Sequence, residues 1–170
     1  MANEAEKTKQ NLEKNKKIVR RILKAFNGED PKAIKELFHP DLVDHSDPIG
    51  LEPELRKKDL VTRVQTEIRR EKEIFPDRKF KEVSITAEGD IVVLRWEMTG
   101  TNKGDILGRK ATGKKVRTFG TEIVRIKDGK IIEHDDDSPR EVFDLLYQLD
   151  MLDQDILKQP EMRSGRKRPK

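Results

Sequence analysis

The chain predicts an α+β fold: helices first, then a hairpin-linked antiparallel sheet, then one more helix. Three observations carry this. Apolar residues recur at helical spacing up to about Glu73. From Phe80 to Asp136 the pattern changes to short β-rich runs separated by Glu88-Gly89-Asp90 and Lys127-Asp128-Gly129-Lys130. Ser138-Pro139-Arg140-Glu141 then reads as a capping box with proline at the first helical position. Helices that precede a meander of strands pack on one face of it, and a strongly curved sheet wrapped over them leaves a concave interior.

The first helix spans residues 8–27, with Leu12, Ile18, Val19, Ile22, Leu23 and Phe26 on one stripe and Asn27-Gly28 as its stop. Asp30-Pro31 opens a short helix, Pro31–Phe38, which ends before His39-Pro40. Residues 41–51 are irregular. A third helix runs from Pro53 to about Glu73, with Leu55, Leu60, Val64 and Ile68 inward, and Phe75-Pro76-Asp77 terminates it. The strands are Phe80–Ala87, with Val83 and Ile85 on one face, then Ile91–Thr101, Lys115–Ile126 and Ile131–Asp136. Gly100, Gly104 and Gly120 are the expected sites of bends or bulges. Residues 102–114 form a Gly-rich hairpin loop expected at the mouth of the interior. The last helix reaches about Met151 and turns Val142, Phe143, Leu146 and Leu149 inward.

With 170 residues the chain suits one domain, residues 1–157, followed by a tail. Residues 158–170 hold six Lys/Arg against the single acid Glu161, so the remaining residues carry a net charge of −1 although the whole chain is +4. A near-neutral body with a basic, disordered tail is not a nucleic-acid groove, and eight aromatics do not make a base-stacking surface. No apolar run approaches the roughly 20 residues that cross a bilayer, and the N-terminus lacks an apolar signal segment. There is no cysteine, which excludes disulfides and fits a reducing compartment. The expected protein is cytoplasmic. The Gly-rich segment 102–114 matches neither phosphate-binding pattern, so no nucleotide cofactor is expected; no metal-ligand spacing is present either.

The segments AFNG (Ala25–Gly28), PDLVDH (Pro40–His45), FPD (Phe75–Asp77), AEGD (Ala87–Asp90), RWEMTGTNKG (Arg95–Gly104), ATG (Ala111–Gly113), GKIIEH (Gly129–His134) and YQL (Tyr147–Leu149) come in that order. As a set they resemble the SnoaL-like polyketide cyclases, also labelled ester cyclases, of the nuclear transport factor 2-like superfamily. The resemblance covers residues 15–150. It implies a cone-shaped fold enclosing one apolar pocket, cofactor-free acid/base catalysis of an intramolecular aldol closure, a small apolar or polyketide-like ligand, and a homodimer through the outer sheet face, for which Leu94, Trp96 and Met98 are the candidates. The chain departs from the family's pattern at three positions: Asn102 stands where a His is usual, Asp135 where a Trp follows Glu-His, and Pro139 where the catalytic Asp sits. Asp136 or Asp137 replaces that acid.

The chemistry is expected at the end of the last strand. There His134 and Asp136 share one face and Asp135 and Asp137 the other, and one pair lines the cavity. Adjacent, partly buried carboxylates raise one another's pKa and suit general acid/base work. His45, in an irregular segment after Asp44, is the fourth catalytic candidate, in keeping with the pocket-side His of the family. Arg95 and Glu97 share a strand face and are similar in spacing to the Arg-x-Asp pair of limonene epoxide hydrolases, which makes water activation an alternative. Asn102, Phe119 and Trp96 complete the candidate substrate contacts. A binding protein that uses the same pocket without turnover is the other alternative.

Overall fold

The structure, a computed structural model, describes residues 2–30, 32–45, 54–136 and 138–158. Helix α1 spans Ala2–Phe26, α2 Ala33–Leu37, α3 Leu60–Ile74, α4 Ser138–Gln148 and α5 Gln154–Leu157. The strands are β1 Phe38–Asp44, β2 Lys79–Glu88, β3 Ile91–Thr101, β4 Lys115–Lys127 and β5 Lys130–Asp136. They form one sheet in the order β1-β5-β4-β3-β2. The architecture is α+β, as the sequence predicts, but the sheet is mixed. β2 to β5 pair antiparallel, while β1 runs parallel to β5 with Asp44 opposite His134. The proline at position 40 hides β1 in the sequence, yet an edge strand tolerates a residue with no N–H to donate.

Local chemistry fixes the ends of the elements. The Asn27 amide donates to the Phe80 carbonyl at 2.9 Å and accepts from the Phe80 N–H at 2.8 Å, tying the end of α1 to β2. Helix α3 starts later than the sequence suggests: Leu55–Lys57 is a separate 3-10 turn, and Asp59 caps α3 by accepting from the Thr62 N–H at 2.9 Å. Just ahead of α2, the Asp30 carboxylate accepts from Arg21 at 2.9 Å and its carbonyl accepts from the Ala33 N–H at 3.1 Å. The β4–β5 turn places Asp128 and Gly129 at φ 50° and 79°, the double left-handed turn that matches strand twist.

Bulges fall at Glu82/Ser84 and Arg125/Ile126, not at the glycines. The first separates Val83, which is 52% exposed, from half-buried Ile85, so the two do not share a face. Gly120 serves a close approach instead. It pairs with Trp96, and a Cβ there would meet the indole ring at 2.0 Å. Segment 102–114 folds back on α3, where the N–H groups of Lys103 and Gly104 donate to the Ile74 carbonyl.

β3 alternates cleanly. Val92, Leu94, Trp96 and Met98 are buried, while Val93, Arg95 and Glu97 lie on the other face. Leu94, Trp96 and Met98 are therefore core residues and not an outer interface. On α4, Leu145, Leu146 and Leu149 are buried but Phe143 stays exposed, because the helix rests on β4 one position round from the expected stripe. The Gln148 amide accepts from the Arg117 N–H at 2.9 Å and donates to its carbonyl at 2.8 Å, pinning that helix to the strand. Among the described residues, no helix is long and apolar enough to cross a membrane.

The Trp96–Gly120 fit gives a direct test. Gly120→Ala is expected to destabilise the fold by about 1–3 kcal/mol, because a close-packed core does not absorb the extra methyl without strain. Chemical denaturation checks the loss. The emission of the sole tryptophan, Trp96, reports whether its ring has moved.

Candidate active site

The concave face of the sheet and helices α1 and α3 bound a cavity of about 120 Å³. Its walls are apolar: Leu23 and Phe26 from α1, Phe80 from β2, Trp96 from β3 and Ile131 from β5. Phe80 packs edge-on between Phe26 (5.5 Å) and Trp96 (5.2 Å). Glu67 and Glu71 of α3, Glu122 of β4, His134 and Asp136 of β5 and Glu141 of α4 supply the polar part of the lining.

His134 organises that polar part. Its Nδ1 lies 3.0 Å from Asp44 and its Nε2 2.6 Å from Glu122. Arg63 of α3 pairs with Asp44 from the other side. The Trp96 indole N–H donates to the second oxygen of Glu122 at 3.1 Å. Burial opposes charge on the imidazole, but the hydrogen bonds to Asp44 and Glu122 outweigh it and hold the His134 pKa well above its ordinary value. His134 is thus an imidazolium that donates both N–H groups to carboxylates.

The two glutamates of α3 are displaced the other way along the charge scale. Burial pushes Glu71 up to about 7, against Arg78 and helped by Glu67 and Glu122. Its Oε2 is buried without a hydrogen-bond partner and lies 3.5 Å from the Arg78 guanidinium. Burial dominates both members of that pair, since Arg78 is lowered by desolvation as Glu71 is raised. Burial also raises Glu67, against Arg63 and helped by Asp136 and Asp44.

Of the residues singled out from the sequence, Trp96, His134 and Asp136 line the cavity. Asp137 lies outside the described residues. His45 sits exposed just past β1, where its backbone N–H donates to the His134 carbonyl at 2.7 Å. Arg95, Glu97 and Phe119 lie on the opposite sheet face. There Arg95 donates to Thr121 at 3.0 Å, Arg117 pairs with Glu97 at 2.6 Å, and both arginines stack on Phe119. The alternation that buries Trp96 turns its neighbours outward, so Arg95 and Glu97 do not line the cavity that Asp136 lines. Asn102 is fully buried, but as a staple of its loop: it donates to the Gly104 carbonyl and accepts from the Thr112 N–H at 2.7 Å. No residue of 102–114 lines the cavity among those described.

Sequence reasoning missed Asp44, Arg63, Glu67, Glu71 and Glu122. Glu67 and Glu71 carried a signal: they interrupt the Val64–Ile68 stripe of α3 at inward positions. Glu122 did too, lying between Gly120 and Val124 on the inward parity of β4. Asp44 carried none, because only the parallel pairing of β1 brings it to His134. Glu122, His134 and Asp136 each bring one ligand atom within 4.8 Å of the others. An ion there would have to displace the His134 proton and its contact with Glu122.

The SnoaL-like polyketide cyclase family model matches residues 16–149, and the chain belongs to that family. It is 28% identical over 122 residues to the aklanonic acid methyl ester cyclase DnrD of Streptomyces peucetius, covering 70% of this chain and 80% of that protein. Among solved structures it is similar to AclR of Streptomyces galilaeus, a candidate hydroxylase, with TM-score 0.68, 27% identity and coverage of 84% of this chain and 89% of that one. IdmH of Streptomyces antibioticus, a candidate polyketide cyclase, shares the fold at TM-score 0.64 and 24% identity, over 77% of this chain and 97% of that one.

Two outcomes test this electrostatic layout. Asp44→Asn leaves a buried imidazolium and Arg63 short of a partner and is expected to cost on the order of 3 kcal/mol by denaturant titration. Glu71 binds more protons folded than unfolded between its ordinary 4.5 and about 7, so it withdraws stability as pH rises through that window. With 35% of its side chain accessible, the effect is smaller than the full shift implies. Glu71→Gln should therefore gain in melting temperature on the parent between pH 5 and pH 8; a constant difference would contradict the assignment.

Proposed function

We propose that the chain is a small-molecule enzyme that uses acid/base catalysis, without a cofactor, to close or isomerise an activated carbonyl compound in the cavity. The observation that carries this reading is a single apolar chamber in which a carboxylate, Asp136, lies beside a fixed imidazolium while burial holds two other carboxyls, Glu67 and Glu71, toward the neutral form. Pairs of acids pushed to opposite protonation states are the usual mark of assigned acid and base roles.

The chemistry needs little else. A carbon between two carbonyls is acidic enough for a carboxylate to deprotonate, and Asp136 is the base. The enolate carbon then bonds to a second carbonyl carbon of the same molecule. The π electrons of that carbonyl move to its oxygen, which takes a proton from Glu71. One proton is removed and one supplied, so substrate and product are isomers, and the proton returns from Asp136 to Glu71 between turnovers. His134 stays protonated throughout. It orients Glu122 and keeps the negative charge of the site from accumulating. The relation to a methyl ester cyclase supports a polyketide-like substrate with the apolar walls around its ring system. A cytoplasmic homodimer joined through the outer face around Phe119 and Ile123 belongs to the same proposal.

Turnover of a β-keto ester that carries a second carbonyl tests it. Asp136→Asn is expected to lower kcat by about 10²–10⁴-fold with the fold intact by circular dichroism. The kcat profile of the parent is expected to fall above about pH 7 as Glu71 loses its proton, and Glu71→Gln should abolish that limb. Full activity in Asp136→Asn would sink the proposal.

A further inference from the structure

The chamber is small and its walls are fixed. Its volume is about 120 Å³. An apolar cavity of roughly 150 Å³ takes up one benzene molecule. Val64, Phe80, Leu94, Trp96 and Ile131 of the lining are each more than nine-tenths buried, and a close-packed interior does not swell to admit a larger guest. Trp96 sets the depth. A Cβ on Gly120 would meet atoms of the indole at 2.0 to 2.6 Å, so the ring already lies over the bare Gly120 backbone, and its N–H is tied to Glu122 at 3.1 Å. It has nowhere further to retreat. Phe80 stands edge-on between Trp96 and Phe26 and closes the β2 side. The Gly-rich loop adds no room either. Asn102 staples it, and it lies so close to α3 that a Cβ on Gly104 would meet the Glu73 carbonyl oxygen at 2.5 Å.

We propose that the substrate is a carbonyl compound the size of a single six-membered ring, and that Trp96, Phe80 and Phe26 are the residues that set this limit. The inference rests on the reading that the cavity holds the substrate, and it narrows a polyketide-like compound to a dicarbonyl whose closure yields one ring. That ring fills the space against Trp96 and Phe80, and its oxygens face the polar end of the chamber at Glu71 and Asp136. A fused second ring would have to take the place of Phe80 or Trp96. Phe80 cannot turn away without leaving both aromatic neighbours, and Trp96 cannot without breaking its bond to Glu122. Larger polycyclic compounds are excluded by sterics and not by polarity.

The test compares three uncharged ketones by quenching of the sole tryptophan, Trp96: cyclohexanone, 1-decalone and perhydroanthracen-1-one. Each fused ring adds apolar surface, which in a site with room would tighten binding by about a hundredfold. The opposite order is expected. Cyclohexanone should bind about tenfold more tightly than decalone, because overpacking a dense interior outweighs the added burial, and the three-ring ketone should not bind. Phe80→Leu and Leu23→Ala, two lining residues made smaller, should each recover decalone binding. Phe143→Leu, on α4 outside the cavity, should not. A melting curve accompanies each variant, and the order of the three ketones on the parent stands without any of them. Decalone binding as tightly as cyclohexanone, quenching by none of the three, or folded enlarged variants that both still reject decalone overturns the proposal. The readout needs no turnover. If Asp136→Asn keeps full activity while the size limit holds, the catalytic reading fails and this one stands; if Asp136→Asn is inactive but decalone binds the parent as well as cyclohexanone does, the reverse is true.

Discussion

A doubly hydrogen-bonded imidazolium is the constraint on which the interior of this protein depends. Asp44, His134, Glu122 and Trp96 sit on β1, β5, β4 and β3, and each hydrogen-bonds the next, so one polar row crosses four neighbouring strands. Arg63 extends the row to α3. Both imidazole nitrogens and the Trp96 N–H have acceptors, while the Arg63 Nε is buried without one; satisfied bonds in a low-dielectric interior are rigid where unsatisfied ones are costly. The same row fixes the edge strand. β1 runs parallel to β5, contains a proline and shifts register, and the charged pair at its end holds the residues that line the cavity in place.

The two acids of α3 take their character chiefly from burial. Asp136 lies beside His134 on the strand. Glu67 and Glu71 approach from α3, where burial outweighs Arg63 and Arg78. One chamber thus holds two carboxyls that burial moves toward the neutral form.

The sheet's two faces differ in character. Arg95, Glu97, Arg117 and Phe119 form a stacked, salt-bridged outer face. Trp96, opposite the Cβ-less Gly120, turns its ring into the cavity wall. Arg95 and Glu97 have the residue types of a water-activating pair, yet they stand on the wrong side of the strand for the cavity. Asn102 serves its own loop: its amide closes residues 102–112 through Gly104 and Thr112.

Much of this was legible in the chain. Period-two alternation in β3 and β4, the turns at Gly89 and Gly129, the capping box at Ser138 and the ordered motifs of the SnoaL-like family located the elements and singled out His134 and Asp136, which line the cavity. These signals are local or are carried by the order of the residues, so no coordinates are needed to see them. Asp44 meeting His134 depends instead on a parallel pairing between residues 90 positions apart. Glu67 and Glu71 stand at inward positions of α3 in the sequence, but their burial exists only once a sheet closes over them. A residue's type and periodicity are written in the sequence, but its dielectric surroundings and charged neighbours exist only once distant segments pack, and those decided which acids serve this cavity.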